Sequence, residues 1–302
     1  MILSVEGLRK HFVAGGALER LLGKTSVVKA VDGVSFGVEA GRTLGIVGES
    51  GSGKTTLART IARLYKPTEG RIVFNDRDIT NLSEADLRPL RRNIQMIFQD
   101  PLASLNPRRS VGQIVEKPLS VHGIDGDRRQ RVDESLTAVG LDPRRHRDRY
   151  PYQLSGGQAQ RVAIARALII DPELIVADEP VSALDVSVQA QIINLMRRLQ
   201  EERGLTYLFI SHDLSVVRHL TDHVMVMFLG RAVELAPTDE LFADPMHPYT
   251  KMLLDAVPRV HARSALDDVV ARASQPFTTR READEAPLVE ARPGHFVAQV
   301  DD

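Results

Sequence analysis

The chain has 302 residues, 39 Lys+Arg against 40 Asp+Glu for a formal net charge of -1, and 43% hydrophobic residues. That charge balance argues against a dedicated nucleic-acid binder, which carries a basic excess, and the apolar content suits one large globular domain with a smaller piece. Cysteine is absent, which excludes disulfides, thiolate zinc sites and cysteine-ligated iron–sulfur clusters.

Taken in chain order, residues 3–8 and 34–39 read as short β segments. Residues 43–47, Thr-Leu-Gly-Ile-Val, form a continuous apolar run, the pattern of a strand buried on both faces. A Gly-rich loop follows, then a helical stretch over 55–64, a turn at 66–70 and strands at 71–75 and 93–98. From 101 to about 171 the texture becomes helical; over 127–139, Val132, Leu136 and Val139 share a face that ends at Gly140. Strand-like runs return at 174–177, 206–210, 224–227 and 231–235, with a helix over 188–203 stopped by Gly204. This alternation predicts an α/β fold with a mostly parallel sheet covered on both faces. Residues 274–293 are polar and Pro-containing and are expected to be loosely ordered. The expected organisation is a main domain over 1–245, with a helical insert at about 101–171, and an extension over 246–302. No apolar run is long enough to cross a bilayer, and the N-terminus lacks a signal-peptide layout, so a soluble cytoplasmic protein is expected.

Gly48-Glu49-Ser50-Gly51-Ser52-Gly53-Lys54-Thr55 matches G-x-x-x-x-G-K-[ST] at every fixed position, after an apolar strand and before a helix. Glycines let the backbone turn tightly and aim its N–H groups at phosphate oxygens, and the helix N-terminus adds partial positive charge. In this chemistry Lys54 neutralises the β- and γ-phosphates and the Thr55 hydroxyl ligates Mg²⁺; Thr56, next in the helix, is grouped with the ATP-binding residues. Residues 174–179, Leu-Ile-Val-Ala-Asp-Glu, are an apolar strand ending in two acids. Alone, such a pair is equally a polar turn before Pro180; with the phosphate loop upstream, Asp178 suits the metal and Glu179 the attacking water.

Leu154-Ser155-Gly156-Gly157-Gln158, directly before a helix, discriminates among phosphate-loop families. Here the sequence resembles the ATP-binding cassette family, whose signature is LSGGQ. Gln99 stands at the family's glutamine loop, Ser182-Ala183-Leu184-Asp185 at its aspartate loop and His212 at its switch histidine, while Phe12 sits where an aromatic often meets adenine. The resemblance covers about residues 1–258 and implies a P-loop NTPase fold: a mostly parallel core sheet, an antiparallel β subdomain and an α-helical subdomain. It also implies that two ATPs are sandwiched head to tail between two cassettes, so that Ser155, Gly156, Gly157, Gln158 and Asp185 face the partner's nucleotide. Gln99, Glu179 and His212 are then catalytic, and Thr55, Gln99 and Asp178 hold Mg²⁺. His219 and His223, four apart, lack a third ligand and read as surface residues.

Residues 98–108, 178–191 and His247-Pro248-Tyr249-Thr250 resemble oligopeptide and dipeptide importer ATPases, and the insert at 14–28 resembles the second of their two paired ATPase subunits. The resemblance implies a sister ATPase, two membrane-spanning permeases and an extracytoplasmic solute-binding protein, with this chain peripheral on the cytoplasmic face of the inner membrane. Nickel and glutathione importers share much of the pattern. Many relatives carry a Cys-rich segment after HPYT, some with an iron–sulfur cluster; with no cysteine, this chain holds no such cluster. Only residues 293–298 echo that tail, in a role that is regulatory, dimer-stabilising or vestigial.

Overall fold

The computed structural model describes residues 1–14, 26–256 and 287–298. The chain opens with two long antiparallel strands, β1 (Leu3–Ala14) and β2 (Ser26–Val38). Strand β3 (Thr43–Val47) is buried throughout and leads through the Gly-rich loop into α1 (Lys54–Ile61). Strands β4 (Glu69–Phe74) and β5 (Arg77–Asp78) then join the first pair in an antiparallel sheet of order β2-β1-β4-β5. Next come α2 (Glu84–Leu90), capped by the Ser83 side chain, and β6 (Ile94–Ile97). The helical insert follows: α3 (Pro101–Ser104), α4 (Val111–Val121), α5 (Arg128–Ala138), α6 (Pro143–His146) and, after a short 3-10 turn, α7 (Gly156–Leu168). The remaining main-domain elements are β7 (Leu174–Asp178), α8 (Val186–Arg203), β8 (Thr206–Ile210), α9 (Leu214–Leu220), β9 (His223–Phe228) and β10 (Arg231–Pro237). Helices α10 (Thr238–Ala243) and α11 (Pro248–Asp255) and the hairpin β11 (Leu288–Arg292)–β12 (His295–Ala298) complete the described chain.

The second sheet has the order β11-β12-β10-β9-β3-β8-β7-β6. Its strands run parallel from β9 to β6, so the C-terminal ends of β3, β8, β7 and β6 lie along one edge. The sheet divides two cores, and the period-2 side-chain alternation of a strand decides which residue enters which. Ile175, Ala177, Tyr207 and Phe209 join the core beneath the helical insert, with Leu136, Val162 and Leu168. Leu174, Val176, Leu208 and Ile210 join the core shared with the antiparallel sheet, with Leu3, Leu57 and Phe74. The face expected on α5 is real: Val132, Leu136 and Val139 are all buried.

Two expectations change. The tail was expected to be loosely ordered to residue 293, but its end is a strand: β11 spans Leu288–Arg292, and β12 pairs antiparallel with β10. The boundary expected at 245 therefore does not divide the sheet. Polar composition concealed these strands because β11 shows no buried position. The rest of that segment, and residues 15–25 of the insert at 14–28, lie outside the described residues. Further, His219 lies in α9 and His223 in β9, so they share no helix face, and both are exposed.

Phe209 is fully buried at the centre of the parallel strands. Phe209→Ala is expected to destabilise the protein by about 3–5 kcal/mol, read as a lowered chemical-denaturation midpoint.

Candidate active site

The phosphate loop is shaped by close backbone approach. A Cβ on Gly48 would lie 2.2 Å from the Met227 carbonyl oxygen, and Gly48 has φ +148°, so only glycine fits. Gly53, at the N-cap of α1, also has positive φ. Lys54 is buried and turns its ammonium back onto the loop, donating to the Gly48 and Glu49 carbonyls, each at 2.7 Å, and to Ser52 Oγ at 3.3 Å. Burial pulls its pKa below the ordinary lysine value, against the opposing pull of Glu179, Asp178 and Glu49.

Thr55 Oγ1 donates to Asp178 Oδ1 at 2.8 Å, tying the start of α1 to the end of β7. Asp178 is fully buried, and its Oδ2 has no hydrogen-bond partner; Arg59 Nε approaches only to 3.9 Å. An orphaned buried carboxylate oxygen beside a hydroxyl suits a hard divalent cation, which prefers oxygen ligands. Thr55 and Gln99 line the cleft, and Asp178 lies behind Thr55, bonded to its hydroxyl.

Glu179 follows directly and adopts φ +48°, a left-handed conformation unusual for a side chain of its size. Its N–H donates to the Ile210 carbonyl at 3.1 Å, which holds this backbone in place. Gln99 Nε2 donates to Glu179 Oε2 at 2.9 Å, and His212 Nδ1 lies 3.2 Å from the same oxygen. The three side chains come from the ends of β6, β7 and β8, so the sheet edge alone brings them together. A carboxylate so oriented can accept a proton from water, and strained backbone of this kind clusters at active sites.

Lys54, Thr55, Gln99, Glu179 and His212 line one cleft of about 1040 Å³, together with Ser50, Gly51, Gly53 and Thr56. Its other wall went unread in the sequence: Lys29 and Asp32 on β2, and Leu229 and Gly230 in the β9–β10 turn. Buried Asp32 meets Arg231 at 2.8 Å, His11 at 3.2 Å, Arg9 at 3.3 Å and Lys29 at 3.4 Å. Burial alone would raise its carboxyl; Arg231, His11 and Lys29 bring it below the usual value. No spacing signals this wall, because its residues come from two distant segments.

Phe12 is not among the residues lining the cleft. It packs edge-on against Tyr65 with centroids 5.6 Å apart, and Lys10 Nζ lies 4.9 Å from its ring centre. The signature also stands apart from the cleft. Ser155 caps α7, its Oγ accepting from the Gln158 N–H at 3.3 Å while Gln158 Oε1 accepts from the Ser155 N–H at 3.1 Å. A Cβ on Gly157 would lie 2.5 Å from Val188, and one on Gly156 would lie 3.1 Å from Leu184. The two glycines thus let the signature helix seat against the segment carrying Asp185, which caps α8 without a side-chain bond.

Comparison with known proteins adds family evidence. A family model described as "ABC transporter" matches residues 31–182, and one described as "Oligopeptide/dipeptide transporter, C-terminal region" matches residues 233–284. The chain is 56% identical over 269 residues to the oligopeptide transport ATP-binding protein AppF of Bacillus subtilis (strain 168), covering 88% of this chain and 80% of that one. It is 47% identical over 300 residues to OppF of the same organism, covering 98% and 95%. Among solved structures, the dimeric post-hydrolysis state of the ATP-binding cassette MJ0796 bound to ADP and Pi aligns with a TM-score of 0.69 at 31% identity, covering 78% of this chain and 99% of that one.

Burial raises the Asp178 carboxyl above its ordinary 3.8, against the lowering effect of the Thr55 hydrogen bond. The native state then holds this proton more tightly than the unfolded chain, so the stability it contributes is present at low pH and lost as pH rises through the folded value. Asp178→Asn is expected to gain stability relative to wild type as pH climbs from 3.8 towards neutrality, read from nucleotide-free denaturation midpoints across that range.

Proposed function

Because the chain belongs to the ATP-binding cassette family of transporter ATPases, we propose that it is the ATP-hydrolysing subunit of an importer for oligopeptides or dipeptides. The observation that carries this reading is the convergence of Lys54, the Thr55–Asp178 bond and the Gln99–Glu179–His212 cluster on one sheet edge. The peptide cargo is supported by the named relatives and by the match of the C-terminal region over 233–284.

In this reading Lys54 and the loop N–H groups from Gly51 to Thr56 hold the phosphates of ATP. Thr55, Gln99 and Asp178 hold Mg²⁺, which supplies charge neutralisation for the phosphates. Glu179 orients the attacking water and takes its proton as the water oxygen bonds the γ-phosphorus and the bridging oxygen to the β-phosphate leaves. His212 and Gln99 fix the Glu179 carboxylate and register the γ-phosphate. Ser155, Gly156, Gly157 and Gln158, with Asp185, address the nucleotide of a second cassette, for which a sister ATPase is the proposed partner. Two permeases, fed by an extracytoplasmic binding protein, complete the assembly, with this chain peripheral on the cytoplasmic face. Among the described residues no helix is long and apolar enough to cross a membrane.

The test is copurification from detergent-solubilised membranes followed by reconstitution in vesicles. Recovery of two permeases and a second cassette, with ATPase activity stimulated by peptide-loaded binding protein, is the expected result. ATP hydrolysis with no membrane partner would remove the transport assignment. Glu179→Gln is expected to retain ATP binding while turnover falls by roughly 10²–10⁴-fold; turnover at the wild-type rate would remove Glu179 as the base. Lys54→Ala is expected to lose ATP affinity, measured by equilibrium titration.

A further inference from the structure

Tyr249 sits just after the start of α11, 200 residues along the chain from the phosphate loop, yet its hydroxyl accepts the Glu49 N–H at 3.1 Å. The side chain is 1% exposed, and its ring packs against Phe228 with centroids 4.3 Å apart. Burial pushes the phenol up to about 12, so it is neutral at physiological pH. The Glu49 N–H and the Gly48 carbonyl belong to one peptide unit, which is planar and stiff. The carbonyl end of that unit accepts from Lys54 Nζ at 2.7 Å. A single rigid plate therefore spans from the Tyr249 hydroxyl to the Lys54 ammonium.

Tyr249 is itself held from behind. Its N–H donates to His247 Nδ1 at 3.1 Å, and burial keeps His247 below the ordinary histidine pKa, favouring the neutral ring that can accept this bond. The N–H groups of Met246 and His247 donate to the two carboxylate oxygens of Glu234 at 2.8 and 3.0 Å. Glu234 lies in β10 with 0% exposure, and its third contact is His295 Nε2 of β12 at 2.8 Å. A buried carboxylate stays in place only when such donors satisfy it, so the hairpin partner, the turn before α11 and β10 form one lock around Glu234.

We propose that Tyr249 is a positioning residue for the phosphate loop: through the Gly48–Glu49 peptide it sets the placement of Lys54, and the Glu234–His247–His295 lock of the C-terminal extension sets Tyr249. This inference rests on the ATP reading above and gives the extension a part in nucleotide binding without any metal cluster.

The test uses the purified full-length chain, a fluorescent ATP analogue in equilibrium titration, and melting of the nucleotide-free protein. Tyr249→Phe keeps the ring against Phe228 and deletes only the hydroxyl. Affinity for the analogue should weaken about fivefold, while the nucleotide-free melting temperature falls by no more than the loss of one hydrogen bond accounts for. His295→Leu should weaken affinity in the same direction, and His295→Gln, which retains a donor for Glu234, should restore it. Unchanged affinity in Tyr249→Phe, measured at a temperature where the variant is fully folded, would overturn the proposal. A wild-type chain that fails to bind the analogue would instead overturn the ATP reading, so the two failures are separable.

Discussion

The hydrogen bond from Thr55 to Asp178 is the constraint on which the site depends. It joins the helix after β3 to the end of β7, although β8 lies between these strands in the sheet. It thereby ties the Gly-rich loop to the acids at the end of β7 across the sheet edge. The same bond leaves Asp178 Oδ2 buried without a partner, a cost that a purely structural carboxylate would not carry. Lys54 and Asp178 both have pKa values displaced by burial towards neutrality. Two desolvated groups of opposite charge at this sheet edge would, under the proposed function, both gain from the joint arrival of phosphate and a cation.

The sheet makes this tension sustainable. Its central strands are buried on both faces, β7 and β8 at every position, so their ends cannot drift without disturbing two cores. Glu179 shows the consequence. Its left-handed backbone is held by the bond from its N–H to the Ile210 carbonyl, and that backbone turns its side chain towards Gln99 and His212 rather than along the strand. Local strain is tolerated because the parallel ladder beneath over-determines it.

Strands β3, β7 and β8 and the phosphate loop were legible because continuous apolar runs and a fixed glycine spacing encode them directly. Of the Gln99, Glu179 and His212 cluster, Glu179 was legible as an acid ending an apolar run, whereas Gln99 and His212 were legible through the resemblance to the cassette family. The Asp32 wall was not legible, because its ion pairs with Arg9, His11, Lys29 and Arg231 are formed by pairing between separate strands. The hairpin at 288–298 was missed because His295 is its one buried residue, so hydrophobic alternation had nothing to record. Tyr249 stood in a recognised motif, yet its contact with Glu49 spans 200 residues, and no local pattern specifies a contact of that range.

The signature poses the converse problem: its residues were legible, yet they lie outside the chain's own cleft. Ser155 is exposed at the N-cap of α7, and the adjoining Asp185 is followed by Val186, which is 81% exposed. An N-cap normally satisfies only its own helix, and Ser155 does so through Gln158. The glycines, however, are accounted for by close packing of α7 on the Asp185 segment, which makes the signature and that segment one surface. That surface presents an exposed helix N-terminus, which favours a neighbouring anion, beside the exposed Asp185 and Val186. Under the proposed head-to-tail pairing, each cassette therefore supplies half of two sites. The core that seats α7 against α8 then matters to catalysis, because it sets the height at which Ser155 meets a partner's nucleotide.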